Sequence, residues 1–302
     1  MPDLIPTHIA DMQARGLAPK TIDTYSRVLR DFERFMAAVD KSLLTVTRHD
    51  LKAYLEDIKA RPVSYVSACL YFTAIQGFYD FLLYEEIIDK NPVDPVRKRY
   101  LQSYKKQKGH TRQMISVEDA KRLLDSMVDI RNQAIFITLL KTGVRSKELE
   151  AMDVEDVDLS AGRITLKPTP KRSNRIVFFD EEAESILKQW LKVRAYNAKD
   201  GERALFVASG RRLQKGAIAA MLVKNAKRAG LHDSSSEDLE DHFGPHCARH
   251  FFTTMLDRAG MKREHIQVLR GDVGKEAIDL YLHNDLEKIR EEYLRCMPEL
   301  GI

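Results

Sequence analysis

Apolar residues recur at three- and four-residue spacing along the first hundred positions, and that period predicts helices. Ile22, Tyr25, Val28, Leu29, Phe32, Phe35 and Met36 follow Pro19 at this spacing. Proline suits the first turn of a helix, where its missing N–H has no intrahelical partner. A second helix is expected after Thr47, through Leu51, Tyr54, Leu55 and Ile58. A third is expected from about Val63 to Tyr84, with Tyr71, Ile75, Phe78, Tyr79 and Leu82 on one face. Asn91-Pro92 and Asp94-Pro95 then predict a stop, because the residue before a proline is pushed out of the helical region. Residues 1–95 are thus expected to form a helical domain.

The pattern changes further on. Ser116 can cap a helix that opens at Val117-Glu118-Asp119, and the apolar run Ala134 to Lys141 ends at Gly143, a natural helix terminus. Segments 156–159, 163–166 and 175–179 cluster β-formers between turn residues and predict a small three-stranded antiparallel sheet. Helices are expected again at about 181–196, 214–229, 246–259, 263–269, 275–283 and 286–296. The fold class is therefore mainly α, with a helical N-terminal domain and a mainly helical second domain, 114–302, that carries the sheet and a tail at 286–302.

Composition narrows the picture. A chain of 302 residues fits two domains, and 44% hydrophobic with 31% charged residues reads as globular. No run approaches the ~18 apolar residues needed to span a bilayer, and no signal-peptide stretch opens the chain, so a cytoplasmic protein without a membrane partner is expected. Three scattered cysteines, Cys69, Cys247 and Cys296, argue against a disulfide framework or a cysteine zinc site. The net charge of +4 is unevenly placed. Residues 1–95 carry −3 and residues 114–302 balance, whereas 96–113 hold seven basic residues and no acid. These are Arg97, Lys98, Arg99, Lys105, Lys106, Lys108 and Arg112. Such a run attracts polyanions, since each phosphate contact releases condensed counterions. The plainer reading is a solvated linker; a position between two folded segments favours DNA contact.

Several residues can do chemistry. Arg145, in Thr142-Gly143-Val144-Arg145, can project from a loop-to-helix junction and match two phosphate oxygens in a planar fork. Alone it reads as a surface arginine paired with Glu148. Pro245 sets a helix start that places His246, Arg249 and His250 on one face of the first turn, where free N–H groups favour phosphate. His242, His246 and His250 are spaced by four, but Gly244-Pro245 interrupts that spacing and no metal site is expected. Tyr281 lies among Ile278, Leu280 and Leu282, as a half-buried core tyrosine would. It becomes a nucleophile only if positive groups surround the phosphate it attacks. The hairpin Lys167 to Arg175 offers Lys167 and Lys171 as proton donors, with Arg172 as a further DNA contact.

Together these residues resemble the tyrosine recombinase (phage integrase) family. The match runs through Thr142-Gly143-Val144-Arg145-Ser146-Lys147-Glu148-Leu149, His246-Cys247-Ala248-Arg249-His250 and Tyr281, and residues 5–95 resemble the family's helical, SAM-like core-binding domain. The resemblance implies that Arg145 and Arg249 hold the scissile phosphate and that His246 assists proton transfer. It further implies Lys171 as general acid, with Lys167 second, and a 3′-phosphotyrosyl bond to Tyr281. Neither ATP nor a metal is implied, so no cofactor is expected. The partners implied are double-stranded DNA, gripped in a C-shaped clamp, and further copies of the chain, forming a tetramer on DNA that passes through a Holliday junction.

One position departs. The family has a histidine nine residues before the nucleophile; here Asp272 stands there, in Leu269-Arg270-Gly271-Asp272. A carboxylate repels phosphate unless protonated, paired with Arg270, or turned to orient another group. The layout, with about four residues before the helical domain, resembles Xer- or Cre-type recombinases without an arm-binding domain. A site-specific recombinase, for integration and excision or for dimer resolution, is the expected function. The alternatives are a type IB-like topoisomerase and a DNA-binding protein with a decayed site. The tail, with Leu286, Ile289, Tyr293 and Met297 at helical spacing, is expected to dock on a neighbouring copy.

Overall fold

The computed structural model describes residues 4–101, 113–168, 175–236, 238–272 and 286–302. The chain divides into two compact units, Met1–Gly109 and His110–Ile302.

In the first unit, α1 (Leu4–Ala14), α2 (Pro19–Ala37), α3 (Arg48–Ala60) and α4 (Tyr65–Tyr84) enclose an apolar core. Pro19 begins α2, and Val28, Leu29, Phe32 and Met36 are the face it buries. Thr47 caps α3 in a reciprocal box with Asp50, satisfying N–H groups that a helix start otherwise leaves open. Aromatic rings supply much of the core: Phe32 lies 4.9 Å from Tyr54, and Phe78 lies 5.4 Å from Tyr79. The buried hydroxyls are answered, Tyr54 donating to Asp31 (2.8 Å) and Tyr79 to the Leu43 carbonyl (2.7 Å).

Two expectations fail here. The prolines after Asn91 do not end helical structure. They begin it, because α5 (Val93–Val96) runs on as a π turn, Arg97–Leu101, with Pro92 at its N-cap and Pro95 in its first turn. Proline removes no hydrogen bond at such positions. Val93, Val96 and Leu101 are buried in the core, so residues 96–101 are a packed helix rather than an extended linker. Also, α4 is long and apolar enough, by length and composition, to cross a membrane, with mean hydropathy 1.3 over its window. Its apolarity has a local cause: Phe72, Ile75, Phe78, Tyr79 and Leu82 lie in the unit's core.

The second unit is built around α7 (Ile130–Thr142), in which every residue from Ala134 to Thr142 is buried. Packed on it are α6 (Val117–Asp125), α8 (Ser146–Ala151), α9 (Glu181–Asn197), α10 (Lys215–Arg228) and α11 (Pro245–Arg258). The expected sheet is present: β1 (Val157–Asp158), β2 (Arg163–Leu166) and β3 (Arg175–Phe178) pair antiparallel in that order, with Ile164 opposite Val177. A two-stranded ribbon, β4 (Val207–Ala208) and β5 (Arg211–Arg212), was not expected. Then come α12 (Arg263–Arg270) and α13 (Leu286–Cys296). The helix expected at 275–283 lies outside the described residues.

The tail corrects another expectation. It packs on its own unit: Ile289, Tyr293, Cys296, Met297 and Leu300 are buried, and the Tyr293 hydroxyl donates to the Lys141 carbonyl (2.8 Å). Lys141 is fully buried, and its ammonium meets Asp180 (2.5 Å), Glu182 (2.7 Å) and the Pro298 carbonyl (2.8 Å). Glu182 also accepts from the backbone N–H groups of Leu300 and Gly301 (2.9 and 2.7 Å). A buried cation needs such partners, and here one of them, Glu182, also holds the chain end.

Asp50 gives the first unit an acid limit. Burial pushes its carboxyl up, but Lys41 (2.6 Å) and Thr47 outweigh this and hold it at about 2. The unfolded carboxyl titrates near about 4, so this stabilisation is complete above that pH and lost as pH falls towards 2. Asp50→Asn is expected to flatten the pH dependence of the first unit's unfolding between about pH 4 and 2, read by denaturant titration at stepped pH.

Candidate active site

Three chain segments of the second unit meet at one point. The first is the end of α7, where Gly143 takes a left-handed backbone (φ 59°) and turns the chain into Val144 and Arg145. The turn is tight, since a Cβ on Gly143 would overlap the Phe252 ring. The second is the start of α11, where Gly244 and Pro245 set the helix entry and bring Arg249 round one turn later. The third is the end of α12, where Gly271, again left-handed (φ 64°), presents the Arg270 carbonyl and Asp272.

The two arginines converge. Arg145 Nη2 lies 3.1 Å from Asp272 Oδ1, and Arg249 Nη2 lies 3.4 Å from the same oxygen. Both also point at the Arg270 carbonyl, at 3.4 Å from Arg145 and 2.8 Å from Arg249, and Arg249 Nη1 donates to the Gly143 carbonyl (2.5 Å). Arg270 Nε completes the group, 3.0 Å from Asp272 Oδ2. Arg249 is buried, whereas Arg145 keeps about a third of its side chain exposed. Burial, then repulsion from Arg145, push the Arg249 guanidinium down to about 9 against the pull of Asp272, and it stays charged at neutral pH. Burial would raise the Asp272 carboxyl. The charge of Arg270, the hydrogen bond from Arg145 and the charge of Arg249 hold it below the usual carboxylate range, so it is ionised.

Behind the arginines lies a second, buried pair. Arg175, at the start of β3, makes a two-pronged bond to Glu148 (2.6 and 2.9 Å) and donates to the Leu269 carbonyl (3.0 Å). Glu148 also accepts from the Arg145 backbone N–H (2.7 Å). The charge and hydrogen bonds of Arg175 overcome burial and keep its carboxyl low. Pairing of Arg145 with Glu148 is therefore real but secondary: their side chains are 3.8 Å apart, while Asp272 is closer. Arg175 was missed from sequence. Its signal was a cation opening an otherwise apolar strand, Arg175-Ile176-Val177-Phe178, at a buried register.

Other expected residues fall into place unevenly. His246 and His250 are exposed on α11, whereas Arg249 between them turns inward, so the three do not share a single environment. His242 precedes α11 and its Nε2 contacts the Ser236 carbonyl (2.8 Å). Lys167 is engaged by Asp153, by Asp156 (3.4 Å) and by the Ala151 carbonyl (3.1 Å). Tyr281, Lys171, Arg172, Lys105, Lys106, Lys108 and Arg112 lie outside the described residues. In the first unit, Arg97 donates to Thr73 (3.3 Å). Lys98 and Arg99 line a cavity of about 530 Å³ with Arg48, His49 and Lys52, three residues that the argument from the basic run did not reach.

The family model described as "Phage integrase family" matches residues 113–288, and a second, "Phage integrase, N-terminal SAM-like domain", matches residues 10–86. The chain belongs to the phage integrase family. Among relatives of this phage-integrase chain, tyrosine recombinase XerC of Haemophilus influenzae (strain ATCC 51907 / DSM 11121 / KW20 / Rd) is 28% identical over 291 residues. That alignment covers 94% of this chain and 93% of the relative. Tyrosine recombinase XerA of Saccharolobus solfataricus is 25% identical over 307 residues, covering 98% and 93%. In fold, the chain is similar to the Tn1549 transposon integrase solved with transposon right end DNA: TM-score 0.73 at 20% identity, covering 97% and 98%. By family, then, this protein is a tyrosine recombinase, an enzyme that cleaves and rejoins DNA.

The turn at Gly143 is the geometry most sensitive to a single methyl group. Gly143→Ala is expected to destabilise the second unit by about 3 kcal/mol, from left-handed strain plus overlap with Phe252. Urea unfolding measures the loss; an unchanged midpoint contradicts the account.

Proposed function

We propose that this phage integrase family member is a site-specific recombinase that breaks and rejoins double-stranded DNA through Tyr281, working in the cytoplasm as a tetramer on DNA. One observation supports the reading most: two guanidiniums reach one carboxylate oxygen, Asp272 Oδ1. A phosphate oxygen at that point would meet the same two cations, as a planar fork and a fixed charge require.

In this reading Arg145 and Arg249 hold the non-bridging oxygens and stabilise the charge that grows on the pentacoordinate phosphorus. Tyr281 Oη gives up its proton to His246 and forms the new P–O bond as the bond from phosphorus to the 5′-oxygen breaks. The departing oxygen takes its proton from Lys171. Lys167 suits that role less, because its ammonium already meets Asp153 and Asp156. A 5′-hydroxyl from a partner strand then reverses the step, and the bond energy is kept in the phosphotyrosine. No metal or nucleotide is required for the exchange. Arg97, Lys98, Arg99, Lys105, Lys106, Lys108, Arg112 and Arg172 would grip DNA phosphates, joined by Arg48, His49 and Lys52 beside Lys98 and Arg99. Such contacts position the duplex without reading its sequence.

Asp272 orients cations in this account. It gives three arginines a common acceptor before DNA arrives, and the phosphate takes over that role. The competing reading, a decayed site that binds DNA without cutting it, draws on the same carboxylate.

A nicked suicide substrate separates the two. The wild-type protein is expected to form a covalent protein–DNA adduct that Tyr281→Phe abolishes while DNA binding persists. Binding without adduct in the wild type supports the decayed site. Relaxation of supercoiled plasmid irrespective of sequence would support a topoisomerase instead. Asp272→His is expected not to raise the cleavage rate, since it removes the shared acceptor of Arg145, Arg249 and Arg270. A rise of about a hundredfold, some 2.7 kcal/mol of barrier, would mark Asp272 as a defect.

A further inference from the structure

We propose that Arg175 is a positioning residue for strand cleavage, a buried strut that sets the register of Arg145 against the turn carrying Asp272. The inference rests on the reading of Arg145 and Arg249 as phosphate ligands.

The geometry is specific. Arg175 is buried, only 3% exposed, and none of its three bonds goes to solvent. Two of them form a fork on Glu148, whose Oε2 also accepts the backbone N–H of Arg145 at 2.7 Å. The third ends on the Leu269 carbonyl, in the last turn of α12. Arg270 and Gly271 follow directly. A Cβ built on Gly271 would lie 3.0 Å from Arg175 Cδ, Nε and Nη1, so the turn is seated on this guanidinium. From that turn come the Arg270 carbonyl and Asp272, the two acceptors that aim Arg145 and Arg249. Through Glu148 this side chain is linked to the main chain of Arg145, and through Leu269 to the turn that carries the acceptors of both arginines. It also stands at the foot of the hairpin, four residues after Lys171.

A planar fork with two prongs and a third donor cannot be replaced by a point charge. Arg175→Lys keeps the charge and much of the stem, but cannot make the fork on Glu148 and the bond to Leu269 together. Arg145 would then be displaced by a fraction of an ångström to an ångström. Misplacement on that scale costs on the order of a hundredfold in rate, with little effect on contacts made elsewhere along the DNA.

The test is single-turnover cleavage of a suicide substrate by the full chain, with DNA concentration varied and thermal melting recorded for each variant. Arg175→Lys is expected to cut at saturating DNA about a hundredfold more slowly, with the half-saturating DNA concentration within about threefold of wild type. Glu148→Gln, which breaks the same strut from its other end, is expected to show the same split. A core residue with no positioning role would lower melting temperature while folded molecules cut at the normal rate. That result for Arg175→Lys overturns the proposal. If Arg175→Lys fails to melt cooperatively, Glu148→Gln decides by the same criterion, and failure of both to fold assigns the pair to the core and overturns it too. Arg145→Lys serves as the control. Normal cleavage by that variant defeats the underlying reading of the site, whereas its failure beside a normal Arg175→Lys defeats only the strut.

Discussion

Two guanidiniums held against one oxygen repel each other, and the second unit is organised around making that arrangement stable. At a separation of about 6 Å and an effective dielectric near 20, two unit charges cost roughly 3 kcal/mol. Acceptors offset this cost. Asp272 supplies an anion, and the carbonyls of Gly143 and Arg270 supply dipoles aimed at Arg249. In the proposed mechanism a phosphate entering this site would meet cations already oriented, the condition under which electrostatic stabilisation of a transition state is greatest.

The scaffold explains why those acceptors are where they are. Both carbonyls sit at or beside left-handed glycines, Gly143 and Gly271, each ending a helix. A helix end leaves carbonyls without intrahelical partners, and here two arginines take them. The helix that ends at Gly143 is fixed in turn by Lys141, held by Asp180 and Glu182, and by the Tyr293 hydroxyl on its carbonyl. Removing one partner from a buried ion pair costs about 3–5 kcal/mol. The chain end is bonded to the same Glu182 carboxylate. Order at the arginines therefore depends on contacts more than a hundred residues away in sequence.

That dependence decides what could be read beforehand. The long amphipathic helices α2 and α3 and the apolar α7 were legible because local signals agree: Pro19 and Thr47 at their starts, Gly143 at an end, and a 3.6-residue period between. The three-stranded sheet was legible from its β-formers. Helix α5 was not, because Pro92 and Pro95 read as breakers unless they are known to fall at the N-cap and in the first turn. The packing of the tail on its own unit was not legible either. Its period shows an apolar face, but nothing local reveals that Glu182 captures the backbone at Leu300 and Gly301. At the site, Arg145 and Arg249, which meet at Asp272, were read from motif spacing. Arg175 was not, because the carboxylate that explains its burial lies 27 positions earlier. Asp272 was recognised as the odd position, and pairing with Arg270, one of the arrangements that position allowed, is present together with pairing to Arg145 and Arg249.

The proposed mechanism requires that the point where Arg145 and Arg249 meet be the seat of the scissile phosphate. A crystal structure of the protein joined to a nicked suicide duplex tests it most directly. The expected result is continuous density from Tyr281 Oη to the 3′-phosphorus, Arg145 and Arg249 each within about 3 Å of a non-bridging oxygen, and the Asp272 carboxylate displaced from between them. A phosphate bound away from the two arginines, or an adduct through any other residue, contradicts it.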